Sequence, residues 1–354
     1  MSISKSEAAY IAGALLATPT STRADGRTLL DYRAISVETG VAPAANGSGR
    51  ALIGAVGDDA TEVIAAVRLD VEDINATDGE TRPLSCSVTC TPSAYPSHTP
   101  PQLDDLSTDL SIILYDTLVT SIRTHITEQL IILPNAKAWH LSVEAVIISD
   151  SGNILDALVI AARTALWDLR IPRTRSVEYR KTVQQDEAMT DSDDRPDAFK
   201  TAIGQGVSKY GGESGKSGGG KKGTGADFEL EDYWDDGVPL KHRERLPVCV
   251  TLNLLPPIHF LDATLLEGES VPTKLHLTFS FPSPTQCFLQ NTRMTGPSEV
   301  PIKLLPDLIK VRSRIRISKV KPRWIKTHLL FVFQVGQKYA SKLATALNTQ
   351  LAAE

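Results

Sequence analysis

The sequence predicts an α+β protein, and two adjoining stretches carry that prediction. "AWHLSVEAVIISD", residues 138–150, puts apolar side chains at 139, 141, 143, 145 and 147, the period of two of a half-buried strand. "SDSGNILDALVIAARTALWDLRIP", residues 149–172, follows it directly. There Ile154, Leu155, Leu158, Ala161, Ala162, Ala165, Leu166 and Leu169 recur at three- and four-residue steps, the period of an amphipathic helix. Strands leading into helices in this way predict helices packed on a sheet.

The other elements follow in order. "AAYIAGALLA" is preceded by Ser4 and Glu7 at capping-box spacing, which predicts a docking helix. Strands are expected near 32–40, 50–56 and 62–72, and the alternation of "SCSVTC" predicts another. A long helix is expected over 104–130, ahead of the strand and helix already described. Residues 186–226 then turn acidic and glycine-, serine- and lysine-rich, with almost nothing to bury, and read as a flexible insertion. "RLPVCVTLNLL" and "KLHLTFSF" predict strands, and "GQKYASKLATALNTQLAAE" a terminal helix. The expected organisation is an N-terminal extension over 1–22, a first half over 23–185, the insertion over 186–226 and a second half over 227–354.

The bulk numbers narrow the function classes. A chain of 354 residues holds one large or two ordinary domains. With 42% hydrophobic and 22% charged residues it is of ordinary globular composition, and a net charge of −5 gives no global nucleic-acid signature. Four cysteines suit a reducing compartment and no disulfide framework. A zinc half-site at Cys86 and Cys90 lacks a second pair, so both read as core thiols, and no metal or cofactor is expected. No apolar run approaches the roughly 20 residues of a membrane span, and an intracellular protein is expected. Asn46-Gly-Ser and Asn75-Ala-Thr are then chance matches to the glycosylation pattern. The seven histidines have no H-E-x-x-H spacing, there is no G-x-S-x-G elbow, and "GESGKS" has Tyr210 where a P-loop needs glycine.

The basic stretch "VRSRIRISKVKPRWIKTHLLFVFQ", 311–334, carries seven lysines and arginines and no acid; without it the net charge falls from −5 to −12. It reads as an RNA-binding arm with Trp324 as a stacking platform, as a solvated basic strand pair, or as an unspliced intron. The last suits best, because "LLPDLIK" then joins "VGQKYASKLATAL" as one continuation into the terminal helix, in frame. Val-Arg, Thr-His and Phe-Gln in this stretch are encodable as donor, branch and acceptor signals.

Four landmarks in order resemble the ribonuclease PH family: "RADGRTLLDYRAISVETG", the 138–173 stretch, "RLPVCVTLNLL", and "LDATLLEGE" with Asp262, Thr264 and Glu267 as an Asp-x-Thr-x-x-Glu signature. "SGNILDA" and "IPR" resemble the family's exosome ring subunits. The resemblance implies a ribonuclease PH fold of two duplicated βαβα-type halves. It also implies a hetero-hexameric ring of subunits sharing that fold, with S1/KH cap subunits and RNA passing through the channel. The implied work is 3′–5′ RNA processing and degradation in nucleus, nucleolus and cytoplasm.

It also locates the chemistry. Active members hold the attacking phosphate with a Gly-Thr-Arg or Gly-Ser-Arg turn at the helix mouth. Leu155 stands where that arginine would be and Ile154 where the hydroxyl residue would be. An acidic residue precedes a Met-Pro-like pair in active members, and Arg245 stands there, with Glu244 beside it but facing the other way along a strand. A phosphate nucleophile needs arginine's planar fork to be held in line, so the implied role is non-catalytic. Archaeal relatives grip RNA with long-helix arginines, matched here by Ile112 and Asp116. Arg123 and Arg68 are weak RNA-contact candidates, and Arg123 reads more readily as a solvated helix-end residue. Asp25-Gly26 reads as a turn with Arg23 and Arg27 as surface charges; Asp262 and Glu267 read as turn and salt-bridge residues.

Overall fold

The computed structural model describes residues 3–17, 21–55, 60–74, 83–134, 136–179, 225–231, 237–271, 273–283, 286–296 and 324–353. The chain divides into a large unit, Met1–Arg173 with Leu230–Glu354, and a small one, Thr174–Glu229.

In the large unit β1 (Ile35–Thr39), β2 (Gly47–Ile53) and β3 (Thr61–Asp73) run antiparallel in a meander. The predicted 138–150 strand is β6 (Lys137–Ser149), antiparallel to β3 and parallel to β4 (Leu84–Cys90). With β5 (Ile131–Leu133) against β6, the sheet has the order β1-β2-β3-β6-β4. Trp139, Leu141, Val143, Ala145 and Ile147 all point into the core, as their alternation predicts. The parallel step from β4 to β6 crosses through α2 (Pro100–His125). The long helix expected there is interrupted at Ile126 and resumes as α3 (Thr127–Leu130). At the break Thr127 Oγ1 donates to the Ile122 and Arg123 carbonyls at 3.2 and 3.1 Å.

The amphipathic stretch forms α4 (Ile154–Asp168), buried without a break from Leu155 to Trp167. Such a helix must be covered on all sides, and this one touches β2 and β3 on one flank and a second sheet on the other. Gly47 and Gly49 of β2 permit the approach: a Cβ at Gly47 would lie 2.6 Å from the Ala165 carbonyl, and one at Gly49 2.6 Å from Thr164 Cβ.

The second sheet is antiparallel, in the order β12 (Ile258–Leu261), β11 (Val248–Leu255), β13 (Thr273–Ser283), β14 (Gln286–Thr295). The terminal helix α6 (Trp324–Ala353) packs Val335, Ala340 and Ala344 on it and sends Leu347 and Leu351 into the first core. A third cluster joins Leu15 of α1 (Lys5–Leu15) to Phe260, Ala263 and Val271 beside α5 (Leu265–Ser270). Two-residue strands β7 (Arg170–Ile171) and β10 (Val238–Pro239) pair after α4. The small unit pairs β8 (Thr174–Tyr179) with β9 (Gly225–Leu230). Most of the expected insertion, 186–224 with "GESGKS", lies outside the described residues, as do 311–323 of the basic stretch; 324–334 open α6.

Candidate functional site: the mouth of the central helix

Backbone geometry sets the mouth of α4. Gly152 has φ +100°, and a Cβ there would lie 2.4 Å from the Ala263 carbonyl. Asn153 follows in the left-handed region at φ +63°. Asp150 Oδ1 accepts from the Gly152 N–H at 2.8 Å, and Thr61 Oγ1 donates to the Gly152 carbonyl at 2.6 Å.

Two carboxyls, Asp156 and Asp262, and two arginines, Arg27 and Arg33, meet at this mouth. Asp262, fully buried at φ +46°, accepts from Asn153 Nδ2 at 3.1 Å. It also takes Arg27 Nη1 at 2.8 Å, and the Arg33 N–H, Nε and Nη2 at 2.7, 3.0 and 2.9 Å. Arg33 in turn donates to the Ser151 and Gly152 carbonyls. Asp156, in the first turn of α4 and also fully buried, accepts from Tyr32 Oη and Asn153 Nδ2 at 3.1 Å each. Its other donors are the Thr251 N–H and Oγ1, at 3.2 and 2.8 Å. Burial pushes the Asp156 carboxyl up to about 6 against these stabilising bonds, and the same burial, next to Asp156, raises the Tyr32 hydroxyl well above its usual range. The helix's positive end is therefore met by the chain's own carboxylates.

Leu155 is core, 7% exposed, and Ile154 is half-buried against the same cluster. The first turn of α4 carries an acid, Asp156, and no base. Arg245 belongs to a 3₁₀ turn, Arg243–Arg245, ahead of β11. That corrects the strand expectation for Glu244: in a tight helical turn it does not face opposite its neighbour, and its Oε1 is 3.7 Å from Arg245 Nε. The turn is gripped from below by Arg163 of α4, fully buried. Its Nη1 donates to the Leu246 carbonyl, and its Nη2 to the Glu244 carbonyl at 3.1 Å and Asn348 Oδ1 at 2.7 Å. Leu155 and Arg163 are eight residues apart, about 12 Å along α4. The sequence reading missed Arg163; its signal was a lone charge in the apolar run "LVIAARTALW".

The surface-charge reading of "RADGR" is also corrected. Arg23 is 6% exposed; its Nε and Nη2 hold both Glu267 oxygens at 2.9 and 2.6 Å, and it also donates to the Leu261 and Asp262 carbonyls. Glu267 closes a capping box with Thr264 on α5. The Asp-x-Thr-x-x-Glu signature is thus a receptor for arginines, in keeping with the turn and salt-bridge role expected of Asp262 and Glu267.

The remaining candidates are scattered. Ile112 is 52% exposed on α2, where Asp116 and Arg123 are exposed too. Arg68 pairs with Glu144 at 2.7 Å on the open face of the first sheet. Cys86 is half-buried and Cys90 buried along β4, and burial pushes the Cys86 thiol up to about 12. His140 is half-exposed, its Nε2 3.0 Å from Ser85 Oγ.

Comparison with known proteins agrees with this architecture. Residues 31–172 match the 3′ exoribonuclease family, domain 1. The exosome complex component Rrp42 of Methanothermobacter thermautotrophicus is 34% identical over 150 residues, 42% of this chain and 53% of that one. A Dictyostelium discoideum protein named "Putative exosome complex exonuclease RRP42" is 26% identical over 303 residues, 72% of this chain and 78% of that one. The chain thus spans about half the length of the archaeal relative. In fold it is similar to a chain of the Archaeoglobus fulgidus exosome with RNA bound to the active site, at a TM-score of 0.53 and 20% identity, covering 86% of this chain and 93% of that one. Ribosomal RNA-processing protein 42, the type these relatives name, is also the one that "SGNILDA" and "IPR" resemble. Residues 31–172 thus match a ribonuclease PH domain of the 3′ exoribonuclease family, in a chain that carries the ribonuclease PH fold and is Rrp42-like in sequence.

Proposed function

We propose that this protein is a non-catalytic subunit of an exosome core ring. It scaffolds other ribonuclease PH-fold subunits beneath S1/KH caps and forms part of the channel through which RNA reaches a nuclease. Its work is rRNA maturation, RNA surveillance and mRNA turnover, in nucleus, nucleolus and cytoplasm. The observation that carries the non-catalytic reading is the mouth of α4: Leu155 is packed into the core, and Asp156 and Asp262 stand where a phosphate would need cations. Phosphorolysis needs its anionic nucleophile held in line by positive charge, and Arg27 and Arg33 are already engaged by Asp262. Arg245, in place of an acid, removes the proton donor as well.

Native mass spectrometry of the tagged protein purified gently from its own cells tests the ring role. A complex of distinct subunits containing one copy of this chain is expected; a monomer or homo-oligomer would overturn it. Phosphate-dependent shortening of a 3′ RNA end by the purified chain would overturn the non-catalytic reading and favour an exoribonuclease. A free-standing RNA-binding protein relying on 311–334 is the third possibility. It requires tight, salt-sensitive RNA binding by the chain alone that disappears with that stretch.

A further inference from the structure

The far end of α4 has the opposite electrostatic character from its mouth. β7 leaves α4 and pairs with β10 so that Arg170 lies opposite Pro239, both exposed. The chain beyond β10 is tied to α3: Gln129 Nε2 donates to the Pro239 carbonyl at 3.2 Å, and Gln129 Oε1 accepts from the Lys241 N–H at 2.8 Å. That tie brings exposed Lys241 to the end of α2, where Arg123 is also exposed. Arg243 lies 4.3 Å over the Trp167 ring and donates to the Trp167 carbonyl at 3.0 Å; Arg245 follows it, 32% exposed.

The acids nearby are partly engaged. Asp168 accepts from the Ser48 N–H at 3.0 Å, and Glu244 lies 3.7 Å from both His242 and Arg245; Glu128 is exposed. Arg123, Arg170 and Lys241 have no ion pair among the described residues. A helix C-terminus favours a nearby cation, and Arg243 already serves α4 in that way. It accounts for neither Arg170 nor Lys241. A protein partner would be expected to find an apolar centre, whereas Arg123, Arg170, Lys241, Arg243 and Arg245 are all cationic.

We propose that this corner, Arg123, Arg170, Lys241, Arg243 and Arg245, is a contact surface for the phosphate backbone of single-stranded RNA. It rests on the reading that the chain serves an RNA-handling assembly. Because Arg243 covers the Trp167 face, no base can stack there, so the contact is sequence-independent and salt-sensitive.

The test uses the full chain and a fluorescein-labelled 20-nucleotide oligouridine, titrated by anisotropy at several salt concentrations. The pair Arg170→Glu/Lys241→Glu is compared with Lys5→Glu/Lys338→Glu, the same charge change on exposed residues of α1 and α6, with circular dichroism melts confirming that both fold. At least a tenfold greater loss for the corner pair, with a salt slope lower by about one unit, is expected. Equal losses, or none, would overturn the proposal. If the corner pair instead loses a subunit by native mass spectrometry while RNA affinity holds, the corner docks protein and the proposal fails. A wild-type chain found outside any ring, yet showing the selective RNA loss, would sink the ring reading and leave the corner standing.

Discussion

Asp156 shows how much one buried side chain decides. Its carboxylate has four donors and no exposure, and burial still lifts it from 3.8 to about 6. The folded state therefore binds the proton more tightly than the unfolded chain does. The associated stability is complete below about pH 4 and is lost as pH rises through about 6, a swing of roughly 1–3 kcal/mol. Urea unfolding at pH 5 and pH 7 checks this by difference: the stability of the wild type relative to Asp156→Asn should be greater at pH 5 than at pH 7, a comparison in which buried His276, lowered to about 4 and opposite in sign, cancels. The Arg23–Glu267 pair makes the opposite kind of prediction. Both are buried and bidentate, so Arg23→Ala leaves a charge without a partner and should cost about 3–5 kcal/mol. Arg23→Met with Glu267→Leu should recover much of that. A double variant no more stable than the single one would show that the carbonyl contacts of Arg23, to Leu261 and Asp262, matter more than the ion pair. None of this could be read from sequence spacing, because the partners are 244 residues apart; "RADGR" has only local turn chemistry on show, and there it predicts surface charges.

Among the elements, α4 packs closely against β2. A methyl at Gly49 would meet Thr164 Cβ and Cγ2 and the Ala165 backbone, all within 2.7 Å, so the helix must shift as a body. Gly49→Ala should destabilise by about 2–4 kcal/mol, seen as a lower denaturant midpoint at unchanged m-value. Elements with strong periodicity were legible: the alternation of β6 and the repeat of α4 state their own faces. The break at Ile126 was not, because the apolar repeat runs on through it; nor was the 3₁₀ turn at 243–245, whose side-chain pattern suits a strand equally well. The basic stretch yields a prediction at this level. The described core contacts of α6 begin at Val335, one residue past it. If 311–334 is unspliced intron, most sequenced transcripts should lack it, and a chain without it should melt within a few degrees of the full one. Uniform retention in transcripts would dispose of the idea.

At the level of the whole chain, α4 belongs to two sheets at once, and α6 reaches both cores. The large unit should therefore lose its halves together. Near-ultraviolet dichroism, reporting on Trp139 and Trp167 in the first core, should coincide with proteolytic cleavage within β11–β14; two separated transitions would mean that each half holds without the other. The α+β class and the family resemblance were legible because they rest on local pattern and on motif order. Which side chains cross from one half to the other was not, since it depends on how distant segments fold back.

On the proposed reading, in which the mouth of α4 is where relatives hold phosphate, the packing of Leu155 also sets how far this chain stands from phosphorolysis. Returning an arginine to that position would open a hole in the first core and deliver a cation to a mouth whose acids already hold Arg27, Arg33 and Asn153. No single substitution reaches a working phosphate cradle: the leucine, both aspartates and their arginines would have to change together. On that reading the site would act as a ratchet, in which each packing contact around the leucine makes reversal less accessible to stepwise mutation.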